Sequence, residues 1–212
     1  MDKLFDKVKE LEQSDIGKVV RKRLSEFSAF RHKDNKEWFS ELCFCLLTAN
    51  SKAKTASDIQ EELGSKGFYE GSSSEIKSCI QRHGHRFHNN KTAFIVGARC
   101  FVNIKDIVRQ QVSVGGMSCA REWLVSNIKG LGYKEASHFL RNVGFFDVAI
   151  VDRHILKVLA EYGYIEEIPK NITHKKYMEL EDLLRNIAEK TDMNMAELDL
   201  YMWYMKSGFV LK

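Results

Sequence analysis

Residues 125–156 read VSNIKGLGYKEASHFLRNVGFFDVAIVDRHIL. Gly130 and Gly132 indicate a tight G-x-G turn between two helical segments, because glycine permits sharp turns and close backbone approach. After the turn, apolar residues recur with the spacing of one helix face, at Ala136, Phe139, Leu140 and Val143. Backbone N–H groups at the start of that second helix form a natural phosphate site. The stretch therefore predicts a helix-hairpin-helix.

Lys134 lies in the first turn of the second helix, where a cation is disfavoured. The positive end of the helix dipole favours Asp or Glu there and destabilises an ammonium group. A nucleophile needs the neutral amine, so Lys134 can be interpreted as a nucleophile. The alternative interpretation is a solvated surface lysine. The solvated lysine would be the better interpretation if Lys134 stood alone.

Asp152 follows the apolar run 148–151 and precedes a helical pattern that begins at Ile155. An isolated Asp at a helix start is usually an N-cap. Lys134 lies eighteen positions before Asp152, so neither residue stands alone. The two residues are therefore considered together.

The order of these two residues resembles a known superfamily. The sequence GLGYK (130–134) followed by VAIVD (148–152) is similar to the helix-hairpin-helix DNA glycosylases that carry a lysine nucleophile and a downstream aspartate. KEASHFLRNVG and DRHIL resemble, more narrowly, the archaeal-type 8-oxoguanine DNA glycosylase/AP lyases, the second family of that activity. Three further blocks fit the same family in the same order, at 42–53, 86–91 and 201–212.

Composition predicts an all-α chain. The 212 residues include one proline and 13 glycines, too few turn-forming residues for an all-β fold. Apolar residues at i, i+3 and i+4 recur throughout the sequence instead.

The resemblance implies two lobes with a DNA cleft between them. Residues 31–149 would form a helical barrel that ends in the hairpin motif at about 121–144. Residues 1–30 and 150–212 would form the second lobe, with Lys134 and Asp152 where the lobes meet.

The periodicity also predicts the individual helices. Asp34 or Asn35 is the expected N-cap of a strongly apolar, buried helix that runs through Leu47. Gly115 and Gly116 are expected to form a turn before the hairpin. The other predicted helices are two within 2–28, then 53–64, one after the loop 71–74, 90–104, 107–112, 155–162, 176–190 and 196–206.

Charge and cysteine content narrow the class of protein. The net charge of +4 is compatible with nucleic acid, although the basic cluster at 82–91 is, from charge alone, best interpreted as a solvated helix face. The five cysteines show no C-x-x-C metal spacing, and none follows Cys119. That absence argues against the glycosylase branches with an iron–sulfur cluster. The odd count and the lack of a signal peptide or long apolar run predict a cytoplasmic protein with no membrane contact. The resemblance implies that it is nucleoid-associated while it scans DNA.

The resemblance implies catalytic roles for two residues. The Lys134 amine would attack C1′ of a flipped nucleotide as the base departs, giving a Schiff base and then β-elimination. Asp152 would stay ionised and stabilise positive charge on the sugar. His138 and His154 are better interpreted as packing or hydrogen-bonding residues. No cofactor is expected, although the hairpin carbonyls of this motif can hold a monovalent cation.

The resemblance also suggests residues that contact double-stranded DNA. Lys129, Gly130 and Gly132 would bind a phosphate 3′ to the lesion. The resemblance aligns Asn50 with the position that fills the space left by the flipped nucleotide, and the alternative interpretation of Asn50 is an ordinary C-cap or turn residue. Phe87, beside Arg86, and Trp203 are the candidates for stacking on the base, and Trp203 is favoured by its C-terminal block.

The favoured interpretation is an 8-oxoguanine enzyme that acts as a monomer, and two alternatives remain open. The first is a related glycosylase/lyase for another lesion, such as an oxidised pyrimidine or an abasic site. The second is a non-catalytic helix-hairpin-helix DNA-binding protein. Phosphate binding alone requires neither Lys134 nor Asp152, which argues against that class.

A first prediction concerns Lys212. The resemblance implies that its α-carboxylate accepts the N1–H and N2–H donors of flipped 8-oxoguanine. Deleting Lys212, or adding residues after it, should sharply lower excision of 8-oxoguanine while cleavage of a preformed abasic site suffers much less. Parallel rate measurements on the two substrates check this. Equal losses would point to misfolding or impaired DNA binding, and no loss would remove this group from base recognition.

Overall fold

The computed structural model describes residues 3–211, and all regular structure within that range is helical. A 3-10 turn, Arg99–Phe101, joins two of the helices. The helices are α1 (Lys3–Gln13), α2 (Asp15–Phe30), α3 (Asn35–Thr48), α4 (Ala53–Glu70), α5 (Ser73–Arg82), α6 (His88–Ala98), α7 (Ile104–Asn127), α8 (Tyr133–Asn142), α9 (Arg153–Glu161), α10 (His174–Thr191) and α11 (Met195–Ser207). No described helix is both long and apolar enough to cross a membrane.

The chain forms two compact units. One is Arg31–Val143, and the other contains the helices before Arg31 and those after Val143. The second boundary lies six residues before the expected residue 149. Residues 144–149 belong to the second unit because the Tyr177 hydroxyl donates to the Ala149 carbonyl (2.7 Å) and the Ala149 N–H donates to Glu181 (2.8 Å). The Ala196 N–H also donates to the Phe146 carbonyl.

Helix α3 is the centre of the Arg31–Val143 unit. Asp34 caps it as predicted, because its side chain accepts a hydrogen bond from the Glu37 N–H. Every residue from Trp38 to Thr48 is buried, so the helix is apolar around most of its circumference and is surrounded by α4, α6, α7 and α8. The predicted buried central helix is confirmed.

Several predicted helix bounds need correction. Helix α4 continues six residues beyond the predicted end at Gly64, which interrupts it with a positive φ of 56°. The predicted helix 90–104 is wrong at its end, because α6 stops at Ala98 and a 3-10 turn follows. The predicted break at Gly115 and Gly116 is present as non-helical backbone, but it lies inside the 24-residue α7.

The second unit contains α1, α2, α9, α10 and α11. Helices α9 and α11 pack against one another, and α11 also contacts α1, α2 and α10. Both helices begin with a side-chain cap, from Asp152 and Asn194 respectively. This packing fixes the start of α9, at which Asp152 lies.

Candidate active site

The hairpin between α7 and α8 has the geometry that the sequence predicted. The Leu131 N–H donates to the Ile128 carbonyl (3.2 Å) and closes the turn. Helix α8 then begins after Gly132, which has extended backbone and no side chain to cap the first turn. The N-cap residue therefore leaves the positive end of the helix dipole open to an anion, and the Glu135 carboxylate is the acidic side chain beside Gly132.

Two features of this turn require glycine at position 130. Its φ is +91°, a conformation that residues with a Cβ rarely adopt. A Cβ built on Gly130 would also lie 2.3 Å from Cδ2 of Phe94, a side chain of α6. The hairpin is thus shaped by the Phe94 ring as well as by its own backbone.

We expect Gly130→Ala to destabilise the fold by about 2–4 kcal/mol, since positive φ and overpacking both oppose a methyl group. Urea denaturation measures this change. Gly132→Ala is the matched control, because its φ of −94° is ordinary and the nearest contact is the end of the Glu135 side chain at 3.2 Å. A loss in Gly130→Ala no larger than that in Gly132→Ala would contradict the close fit against Phe94.

Lys134 occupies the second position of α8, as predicted, and its side chain is about one-third exposed. Its Nζ lies 2.9 Å from Oε1 of Glu135, an ion pair that the sequence analysis did not consider. Glu135 supplies the acidic residue that the first turn of a helix favours. Any reaction of the Lys134 nitrogen therefore requires this ion pair to separate.

Asp152 is the N-cap of α9, which confirms the ordinary interpretation of its position. Its Oδ1 accepts hydrogen bonds from the N–H groups of His154 (2.8 Å) and Ile155 (2.9 Å). Within residues 3–211, Oδ2 has no hydrogen-bond partner, and the residue is partly exposed. Capping therefore uses one carboxylate oxygen and leaves the other for a second interaction.

Trp203 lies on α11, next to the start of α9, the helix that Asp152 caps. Its ring is partly exposed and its centroid lies 5.4 Å from that of His154, at an interplanar angle of 57°. His154 Nδ1 is buried and has no hydrogen-bond partner in the part of the chain that the structure describes. His154 thus packs against the Trp203 ring, in agreement with a packing role. Lys212 lies outside the described residues.

Asn50 lies in the turn that follows α3. Ala49 is the C-cap, and Asn50 comes next with a positive φ of 59°, exposed. The Leu46 carbonyl accepts a hydrogen bond from Lys91 Nζ (2.6 Å), and Leu47 O is 3.0 Å from His85 Nε2. The end of α3 is therefore held by two side chains, and the exposed turn residue is presented from a fixed base.

The basic cluster at 82–91 is not uniformly solvated, which corrects the expectation from charge. Lys91 and His85 are buried, at 4% and 3% exposure. Burial lowers the pKa of Lys91 to about 8, and the Lys134 ammonium adds to this effect while Glu135 opposes it. Burial likewise lowers the pKa of His85. Both residues hold α3, so neither is a surface contact for DNA.

The residues predicted to contact DNA in the segment 82–91 and beside the hairpin are exposed. Phe87 is 40% exposed, and the Arg86 guanidinium lies over its ring at 5.2 Å. Lys129 is exposed beside the hairpin glycines. A flat aromatic face with a cation on one side suits base stacking, and an exposed lysine suits a phosphate.

The structure thus groups the predicted residues within the two units. Asn50, Phe87, Arg86 and the hairpin with Lys134 belong to Arg31–Val143, whereas Asp152 and Trp203 belong to the other unit. Sequence analysis missed Glu135 and Phe94. Glu135 is adjacent to Lys134 and Phe94 follows the block 86–91 by three residues, but only the fold shows that they contact Lys134 and Gly130.

Within residues 3–211 all regular structure is helical, and a helix-hairpin-helix carries a lysine at the uncapped start of its second helix. These features are those of the class of helix-hairpin-helix DNA glycosylases. Comparison with known families identifies the branch. The family described as "8-oxoguanine DNA glycosylase" matches residues 20–193. The chain belongs to this 8-oxoguanine DNA glycosylase family.

Individual relatives agree with that assignment along the whole chain. The 8-oxoguanine DNA glycosylase/AP lyase of Methanocaldococcus jannaschii is 51% identical over 99% of both chains, and that of Korarchaeum cryptofilum is 43% identical over 100% of this chain and 99% of its own. The crystal structure of the Methanocaldococcus jannaschii enzyme with a 15-mer DNA containing 8-oxoguanine matches with a TM-score of 0.94, covering 99% of each chain.

Proposed function

We propose that this chain is a base-excision-repair enzyme that removes 8-oxoguanine from double-stranded DNA and then cleaves the strand at the resulting abasic site. The observation that carries the proposal is Lys134, an accessible amine at the uncapped start of α8. Similarity over the full chain to enzymes named 8-oxoguanine DNA glycosylase/AP lyase supports the same substrate and both activities.

The reaction begins when the damaged nucleotide is flipped out of the duplex. The Lys134 nitrogen forms a bond to C1′ as the bond from C1′ to the base breaks, and the departing base takes up a proton. Opening of the sugar ring turns the new bond into a Schiff base. Loss of a proton from C2′ then expels the 3′ phosphate by β-elimination, and hydrolysis releases Lys134.

Asp152 acts as a fixed negative charge in this scheme. Its capping hydrogen bonds from the N–H groups of His154 and Ile155 hold the carboxylate in one orientation. The second oxygen stabilises the positive charge that develops on the sugar, and an oriented charge does this without reorganisation. No metal or organic cofactor is required by these steps.

DNA contacts come from three parts of the chain. The hairpin at Gly130 and Gly132, with Lys129 beside it, binds a phosphate at the positive end of the α8 dipole. Asn50, exposed on the turn after α3, enters the space that the flipped nucleotide leaves. Phe87 and Trp203 are the aromatic rings for stacking on the extruded base. One copy of the chain supplies all of these groups, so we infer a monomer.

Borohydride trapping on a panel of duplexes tests the proposal. The panel contains 8-oxoguanine, an oxidised pyrimidine, a plain abasic site and undamaged DNA. We expect a covalent complex with 8-oxoguanine and abasic DNA and base release only from the former. Preference for the oxidised pyrimidine would assign a different lesion, trapping on abasic DNA alone would leave only the lyase, and binding without any trapping would indicate a non-catalytic DNA-binding protein.

A further inference from the structure

A second group of chemically reactive side chains lies elsewhere in the Arg31–Val143 unit, between α4 and α5. Glu62 projects from α4, Cys79 from α5, and His83 is the C-cap of α5, one helical turn after Cys79. One ligand atom from each residue lies within 4.8 Å of those from the other two. A carboxylate, a thiol and an imidazole therefore converge on one point.

Hydrogen bonds already orient this cluster. Glu62 Oε2 lies 2.7 Å from His83 Nε2, while Arg82 pairs with the other carboxylate oxygen. The hydrogen bonds from His83 and Arg82 lower the pKa of Glu62, so the carboxylate is ionised. The backbone also links the two α5 residues, because the His83 N–H donates to the Cys79 carbonyl (3.2 Å).

We propose that Glu62, Cys79 and His83 form a binding site for one divalent transition metal ion of the zinc class. Cysteine sulfur, histidine nitrogen and carboxylate oxygen are all ligands that zinc accepts in tetrahedral sites. With metal–ligand distances of about 2.0–2.3 Å, neighbouring donors in a tetrahedron lie about 3.3–3.7 Å apart. The Glu62–His83 pair opens by roughly 0.6 Å and the thiol approaches by at most about 1.5 Å to reach that geometry.

A fourth ligand can come from solvent. A surface cavity of about 320 Å³ opens beside Glu62 and Cys79, and Ser74 and Ser78 also line it. It has room for water as the fourth ligand. Arg82 keeps its contact with the second oxygen of Glu62 and orients the carboxylate from outside the metal's ligand shell. The bound ion joins α4 to α5.

Two features set the free energy that binding has to overcome. Burial and the neighbouring Glu62 raise the pKa of Cys79 to about 11, so the thiol is protonated before the metal arrives. The ion must displace that proton, as metals do at cysteine sites. Arg82 also places a positive charge near the ion, and it is 61% exposed at its side chain and so screened by solvent.

The sequence alone does not indicate this site, because its residues are distributed over two helices. Cys79 and His83 have C-x-x-x-H spacing within a helix, and Glu62 lies 17 positions before Cys79. A search for C-x-x-C spacing does not detect that combination. The site is independent of Lys134 and Asp152, so the proposed function stands or fails separately.

Cobalt titration of the full-length, metal-free protein tests the proposal. We expect one Co²⁺ per chain, with the visible bands of tetrahedral cobalt and a thiolate-to-cobalt charge-transfer band, and displacement of Co²⁺ by Zn²⁺. Cys79→Ser should abolish the charge-transfer band. Glu62→Gln and His83→Gln should each weaken binding by more than about tenfold.

Matched controls use the same residue types outside the cluster. Cys119→Ser and His88→Gln replace a partly exposed cysteine and histidine of the same unit and should leave the titration unchanged. Glu62 and His83 are not fully buried, so their variants remain informative if loss of the buried Cys79 thiol disturbs folding. Absence of tight binding, a charge-transfer band that survives Cys79→Ser, or equal weakening in the control variants would overturn the proposal.

Discussion

A Lys134→Gln protein is expected to bind 8-oxoguanine DNA, release no base and give no borohydride-trapped complex. Glutamine retains a polar side chain of similar length, but its amide nitrogen is not nucleophilic and forms no Schiff base. Both the excision rate and the trapped complex should therefore fall below detection. Single-turnover excision, trapping and a DNA-binding titration measure the three quantities on one preparation.

The substitution should leave the fold intact. The Lys134 side chain is about one-third exposed, and its ion pair joins it to the adjacent, largely buried Glu135. Such pairs contribute about 0–1 kcal/mol once solvent screening is considered. Loss of activity in this variant is thus a loss of chemistry, provided that its thermal unfolding matches the unsubstituted protein.

Lys129→Gln is the control for this prediction. Lys129 is exposed next to the hairpin glycines and its proposed partner is a phosphate, so the variant should bind DNA more weakly and depend less on salt. It should still form the trapped complex when DNA is saturating. Trapping that persists in Lys134→Gln, or that disappears only in Lys129→Gln, would place the nucleophile elsewhere.

The sequence was most informative where one local pattern determines the structure. The G-x-G turn, the apolar face of α8 and the Asp34 cap of α3 each depend on residues within one or two helical turns, and all three are present. Family resemblance contributed the pairing of Lys134 with Asp152, which spacing alone did not establish. The roles of these two residues remain predictions.

Tertiary burial could not be obtained in the same way. The segment 82–91 contains many cations, so charge predicted a solvated face, yet Lys91 and His85 are buried because α3 offers two carbonyls at its end. The Phe94 contact with Gly130 and the convergence of Glu62 with Cys79 also join distant parts of the sequence. Such contacts depend on the packing of helices, to which a single sequence without structure gives no direct access.

Asp152→Asn is expected to separate the capping role of this residue from its charge. Asparagine caps helices about as well as aspartate, so the hydrogen bonds from the His154 and Ile155 N–H groups should persist and the unfolding free energy should change little. Removing an oriented charge should nevertheless lower the excision rate by about 100- to 1,000-fold. Single-turnover excision and urea denaturation measure the two effects.

Asp34→Asn is the matched control, because Asp34 is also an N-cap whose side chain accepts a backbone hydrogen bond, at the start of α3. The same chemical change there removes a charge from a cap with no proposed contact to the sugar, so excision should be unchanged. Equal losses of excision in the two variants would mean that any altered cap impairs the enzyme. If Asp152→Asn excised 8-oxoguanine at the unsubstituted rate, Asp152 would be a cap alone, and the positive charge on the sugar would have to be stabilised by another group.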